Sequence, residues 1–239
     1  EYLIGAGVGR PTFKSLHRDF MQRAYDHLGY PIQDEQAFID KILLPMSDWA
    51  QLYPLVLGQA HKTQTSTGDF EVSSDLSNAL GELNALGGTP FHPLSLLVLN
   101  ALWSKSISER DAYRSIFLLQ AYIVRTMLSG QPLSPMRATT MRIANILANA
   151  KFSYVALRKA LVAQGWIVDA KVLKSVKTAE LYTYGASSVF PILRGIEHQL
   201  VKRGQHPMPF GAGGGQYSIE HIFPQRPGTS SAWTSDIHK

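Results

Sequence analysis

Apolar residues recur at helical intervals through most of the chain. Phe13, Leu16, Phe20 and Tyr25 follow roughly a helical period, with Pro11 where a helix start tolerates it and Gly29 closing the run. A second helix is expected from about Asp34, with Phe38, Ile42 and Leu43 inward and an interruption near Pro45. The segment from His61 to Asp69, rich in Thr, Ser, Gln and Gly, reads as a loop. Helical patterning resumes over Ser74 to Leu86, Pro93 to Trp103 and Ser108 to Leu128, where Ser108 makes a good N-cap and Gly130 a good stop. It continues over Ser134 to Ala150, Ser153 to Gln164 and Asp169 to Tyr182, the last opened by Asp169 as a cap. A final pattern covers Ser187 to Lys202, with Val189, Leu193, Ile196, His198 and Leu200 mixing apolar and polar faces. Strand-like sequence is scarce before Tyr217, and no internal repeat of fixed period is evident. The pattern predicts a mainly α fold, a bundle of about nine helices occupying residues 1–203.

The character changes at Gly204. The stretch G-Q-H-P-M-P-F-G-A-G-G-G-Q holds two prolines and five glycines, and residues 204–216 read as a linker or exposed loop. Its triple glycine lacks the Lys-Ser/Thr ending and the strand-to-helix setting of a phosphate-binding loop. Residues 217–239 form a short third element that begins Y-S-I-E-H-I-F-P-Q.

Composition narrows the class. With 45% apolar and 17% charged residues in 239, the chain is long enough and apolar enough to bury a real core. Cysteine is absent, which removes disulfides, thiolate chemistry and Cys-ligated zinc, and accords with an expected cytoplasmic location. No apolar run is long enough to span a membrane. The first residue is Glu1, so the chain is expected to be a piece of something longer.

The net charge of +5 permits a polyanionic partner without demanding one. Its distribution says more. From Pro132 to Ala179 the basic residues are Arg137, Arg142, Lys151, Arg158, Lys159, Lys171, Lys174 and Lys177, and the only acid is Asp169. Between Asp34 and Asp48 the acids Asp34, Glu35, Asp40 and Asp48 face a single Lys41. Lys171, Lys174 and Lys177 advance by three, which on a helix keeps them within a sector of about 120°, opposite Val172, Leu173 and Val176. Such a stripe, with Arg158 and Lys159, is a candidate contact to the phosphates of duplex DNA; it equally fits an ordinary solvated helix face. Phe152, Tyr154 and Trp166 sit at core-like spacing, which favours duplex contact over single-strand stacking in this window.

In the run from Ser218 to Phe223, alternate side chains point to opposite faces, and Pro224 ends or bends it. Phosphodiester hydrolysis needs a base for water and a cation to stabilise the charge on phosphorus. His221 suits the first task. Glu220 suits orienting that imidazole or holding a magnesium or manganese ion through a carboxylate oxygen. The same pair also reads as a plain surface Glu-His pair. His198 falls in a regular helix, His206 between loop residues and His238 beside the last residue.

I-E-H-I-F-P-Q followed by Trp233, preceded by R-G-I-E-H-Q-L over residues 194–200, resembles the HNH-type nuclease domain of GmrSD-like modification-dependent restriction enzymes and the helix leading into it. That family includes SspE-type effectors of phosphorothioate-based phage defence. The resemblance implies a C-terminal ββα-metal nuclease with His221 as general base and Glu220 assisting or near the metal. It also implies double-stranded DNA as substrate and an N-terminal nucleotide-hydrolysing sensor domain that this chain does not contain. The family's G-N-L strand and its later helix bearing Asn or His are not found after Trp233, and no asparagine follows Asn149. No D-G-x-Q-R-like nucleotide motif is recognisable. The expected function is therefore the C-terminal part of an anti-phage DNA endonuclease, with part of its active site outside this chain. The alternative is a non-catalytic helical module that docks or regulates a partner.

Overall fold

The protein is seen in a computed structural model, which describes residues 16–201 apart from positions 31 and 149. It is mainly helical, as the periodicity predicts. In chain order the helices are α1 (Leu16–Leu28), α2 (Glu35–Phe38), α3 (Leu44–Val56), α4 (Ser74–Ala85), α5 (His92–Trp103), α6 (Glu109–Leu128), α7 (Met136–Ala148), α8 (Tyr154–Ala163), α9 (Asp169–Ser175) and α10 (Ala186–Leu200). The chain falls into two compact units, residues 1–191 and 192–239. Of the second, the described part is the C-terminal half of α10 and Val201. The expected linker at 204–216 and nuclease element at 217–239 lie outside the described residues.

Local chemistry explains several of the helix ends. Ser73, Ser108 and Ser153 each accept a backbone N–H of the first turn through Oγ, at Leu76, Asp111 and Ala156. Asp34 does the same for Ala37. Gly29 and Gly130 stop α1 and α6 in the left-handed region, at φ of 84° and 67°.

Pro45 does not interrupt the second helix. A π-helical segment, Ile39–Leu43, joins α2 to α3, and the N–H of Leu44 reaches back five residues to the carbonyl of Ile39. The ladder is thus already shifted when Pro45, which has no N–H to give, enters at the start of α3. Leu43, expected inward, is exposed on this widened turn.

The expected loop at 61–69 is largely a hairpin. Strands β1 (Lys62–Thr65) and β2 (Gly68–Glu71) pair antiparallel from Lys62 opposite Glu71 to Thr65 opposite Gly68, leaving Ser66 and Thr67 as a two-residue turn. Two strands alone are marginal in water. Helices hold these from outside. Asp48 of α3 accepts from Ser66 N–H at 2.8 Å and Ser66 Oγ at 2.7 Å. Trp103 Nε1 donates to Thr67 Oγ1 at 3.1 Å, and Thr63 Oγ1 donates to the Gln51 carbonyl at 2.8 Å.

The core is built around α6, which packs against α4, α5, α8 and α9. Leu76, Leu80 and Leu83 of α4, Leu94 and Leu99 of α5, and Ile116, Leu119 and Ile123 of α6 are fully buried. Each contributes about 1.5–3 kcal/mol relative to exposure. Inside this apolar zone Gln120 Nε2 donates to the carbonyl of Ala79 at 2.7 Å, fixing the register of α6 on α4. Helix α7 is tied to the start of α5 by Thr140 Oγ1, which donates to the Pro90 carbonyl at 2.7 Å.

In α10, Val189 is buried and Ser188 Oγ donates to the Ala85 carbonyl at 3.4 Å. Ile192 is also buried, whereas Leu193, Ile196 and Leu200 are exposed.

A close backbone approach lies between the end of α3 and the middle of α4. A Cβ on Gly58, at φ 64°, would stand 2.5 Å from both Cα and N of Gly81. A Cβ on Gly81 would meet only Gly58 Cα, at 4.0 Å. The two glycines therefore carry unequal loads. Gly58→Ala combines left-handed strain with a backbone clash and is expected to lower unfolding free energy by about 2–4 kcal/mol. Gly81→Ala relieves a mid-helix glycine and is expected to leave stability unchanged or raise it by up to about 1 kcal/mol. Urea denaturation of the two variants checks the asymmetry.

Candidate nucleic-acid interface

The basic window folds into α7, α8, α9 and the connections between them. Helix α8 buries Leu157 and Leu161 against the bundle. That leaves Val155, Arg158, Lys159 and Val162 exposed at i, i+3, i+4 and i+7, all within a sector of about 100°. Arg158 and Lys159 therefore share one solvent-facing stripe.

The lysine series is also exposed, although its helix differs from expectation. Lys171 and Lys174 belong to α9, which ends at Ser175; Lys177 lies in a 3-10 turn, Val176–Thr178. The apolar residues assigned to the opposite side are not buried: Val172 is half-buried, and Leu173 and Val176 face solvent. Helix α9 is held at its start instead. Asp169 is not its N-cap, a place taken by Val168. Asp169 lies in the first turn and accepts from Arg125 Nη2 of α6. Arg125 Nη1 donates to the Ile167 carbonyl at 2.8 Å, and its guanidinium lies 4.9 Å from the centre of the Trp166 ring. Tyr122, one helical turn earlier on α6, sits beside Trp166 and donates to the Gln164 carbonyl at 3.4 Å. Burial pushes the Tyr122 phenol above its usual range, with the charge of Arg142 working against that shift.

This pairing alters the charge pattern. Asp169, the only acid from 132 to 179, is taken up by Arg125 from outside that window. Sequence reasoning did not connect the two, since they are 44 residues apart.

A second stripe was missed altogether. On α6, Arg110, Tyr113, Arg114 and Phe117 follow the same i, i+3, i+4, i+7 spacing on the face opposite buried Ala112, Ile116 and Leu119. Phe117 is 59% exposed and Tyr113 41%. The guanidinium of Arg114 lies 4.1 Å from the centre of the Tyr154 ring, so the α6 stripe meets the first turn of α8. The signal was present in the sequence as a second periodicity, out of phase with the core one.

One buried titratable group lies elsewhere. His92, at the start of α5, is held between Tyr53 and Asn84, with Nδ1 2.8 Å from the Tyr53 hydroxyl and Nε2 2.6 Å from Asn84 Oδ1. Asn84 Nδ2 donates to the carbonyls of Val56 and Leu80, which leaves Oδ1 as acceptor. The imidazole therefore donates from Nε2 and, when neutral, accepts from Tyr53 at Nδ1. Burial pushes its pKa down. This cluster ties α3, α4 and α5 together. A cleft of about 370 Å³ between α3 and the hairpin is lined by Leu44, Ser47, Asp48, Gln51, Gln64, Thr65 and Ser66. Both Asp48 oxygens in it are engaged by Ser66.

His221 and Glu220, expected to supply catalysis and a metal ligand, lie outside the described residues. So do His206, His238 and Trp233, and the side chain of His198. Among the described residues no three His, Asp or Glu side chains come together as a metal site. The segment 194–200, expected to be helical, is helical within α10.

The neutral His92 has a measurable consequence. The unfolded imidazole takes up a proton near pH 6.5, whereas the folded one does so only at lower pH. Stability is thus full above about pH 6.5 and falls as pH drops below it. His92→Gln is expected to flatten that part of the stability–pH curve measured by urea titration. Comparison of the chain with protein-family models, with curated proteins and with solved structures finds no match.

Proposed function

We propose that this chain is the duplex-contacting helical part of a DNA endonuclease, joined to the beginning of its HNH-type nuclease element, in an anti-phage restriction system. The observation that carries the reading is the motif I-E-H-I-F-P-Q at 219–225, with R-G-I-E-H-Q-L one linker upstream. The exposed, basic faces of α8 and α9 support it, because Arg158, Lys159, Lys171, Lys174 and Lys177 all face solvent. With Asp169 engaged by Arg125, those faces keep an excess of cations able to neutralise phosphates.

In this reading His221 accepts a proton from the attacking water, and Glu220 orients the imidazole or contributes an oxygen to the metal site. A magnesium or manganese ion, when bound, would stabilise the charge that develops on the phosphoryl oxygens. The helical part places the duplex and relays a signal from the sensor domain. The competing reading, a non-catalytic interaction module, draws on the exposed apolar residues Val168, Leu173 and Val176 around α9.

Two experiments separate these readings. His221→Ala in the full-length protein should abolish plasmid nicking with magnesium or manganese, a loss of at least about 100-fold. Undiminished nicking would remove His221 from catalysis. Reversing Lys171, Lys174 and Lys177 to Glu should weaken duplex binding and lower the salt slope by up to about three. An unchanged slope would return α9 to a solvated surface.

A further inference from the structure

The α6 stripe has no role in the duplex-binding reading, and its composition differs from that of the lysine series. Two exposed aromatic rings are interleaved with two arginines, and the acids nearest in sequence are already occupied. Glu109 accepts from Ser73 N–H at 2.6 Å, while Asp111 is engaged by Ser108 Oγ at 3.1 Å and lies 3.7 Å from Arg114. Single exposed apolar residues are common on protein surfaces and need no explanation. Here Tyr113 and Phe117 stand one turn apart on the same face, framed by Arg110 and Arg114.

Their spacing matters. Four residues of helix rise about 6 Å. That is close to twice the roughly 3.4 Å rise of a nucleic-acid strand, room for one base between the two rings. In a duplex the base faces are already stacked, and aromatic side chains on a convex helix cannot reach them. In a single strand they are available. The contact of Arg114 with Tyr154 joins this face to α8, where Arg158 lies one turn beyond Tyr154.

We propose that α6 and the first turns of α8 form a platform for single-stranded nucleic acid. Tyr113 and Phe117 take unpaired bases, and Arg110, Arg114, Arg158 and Lys159 contact the phosphates of the same strand. The proposal rests on the reading of the chain as DNA-binding and adds to it a second contact, to an unpaired strand, apart from the α9 lysines.

The test is fluorescence anisotropy with the full 239-residue chain, a labelled oligothymidylate and a blunt duplex of equal length. The double variant Tyr113→Ala/Phe117→Ala should bind the single strand roughly tenfold or more weakly, as lost base–aromatic stacking requires. Its duplex affinity should change by less than about twofold, and its melting temperature should be that of the unsubstituted chain. Phe117→Leu keeps an apolar side chain without a π face and should reproduce most of the single-strand loss attributable to Phe117. Reversal of Lys171, Lys174 and Lys177 should give the opposite result, weakening duplex binding while sparing the single strand. Equal single-strand affinity in the unsubstituted and aromatic-variant chains would overturn the platform, as would parallel loss on both ligands. An unsubstituted chain that binds the duplex but not the single strand overturns this inference alone. A chain that binds neither overturns the duplex reading with it.

Discussion

Helix α6 can be buried along one side only if α4 and α5 close over it, and that packing sets the positions of the other helices it contacts. Its 20 residues run about 30 Å. One side carries Ile116, Leu119, Ile123 and Met127, all essentially without solvent contact. Apolar contacts are non-directional and set the register of such a helix only weakly. The hydrogen bond from Gln120 to the Ala79 carbonyl removes that freedom, since a slip would leave a buried amide without its acceptor. With the register fixed, Arg114 meets Tyr154 near one end of α6 and Arg125 meets Trp166 and Asp169 near the other.

The same helix thus has a structural side and a chemical side. Arg125 illustrates the coupling. Its guanidinium satisfies a carbonyl, an acid and an aromatic face at once, which a lysine with a single point charge does not do. Residues 166–169 would otherwise be a short connection between two exposed helices. Fixed by Arg125, they set the direction in which α9 leaves the bundle. The cations of α9 can stay clear of internal partners because the acid nearest them is taken by a residue from outside their own segment.

Much of the helical framework was legible in the chain, and for identifiable reasons. Serine caps at 73, 108 and 153 and the glycine stops at 29 and 130 act through neighbouring backbone, so local sequence suffices to find them. The hairpin at 62–71 was not legible. Its residues are polar, and its stability comes from Asp48, Gln51 and Trp103 on helices whose arrival at that place no local pattern announces. Asp169 has the local appearance of a cap for the same reason, since Arg125 is distant in sequence. For the candidate site, the exposure of Lys171, Lys174 and Lys177 agrees with their spacing, although Leu173 and Val176, placed opposite them by the same period, are exposed as well. The α6 stripe is the weaker of two periods on one helix, and the strong apolar period on the other side is enough by itself to specify that helix.

The π segment before Pro45 bears on how this helix can change in length. A π turn holds one more residue than the α turn it replaces, so α2 and α3 are out of step by one position across Ile39–Leu43. Removing a single residue there would draw the pair into one continuous α-helix while leaving α2 and α3 with much the same relative faces, because the wider turn had absorbed the extra residue. Pro45 opposes that outcome, because its ring would then press on the carbonyl four residues back. The proline and the extra residue are therefore interdependent. The wide turn thus lets a proline enter a longer helix without changing the face that α2 presents relative to α3.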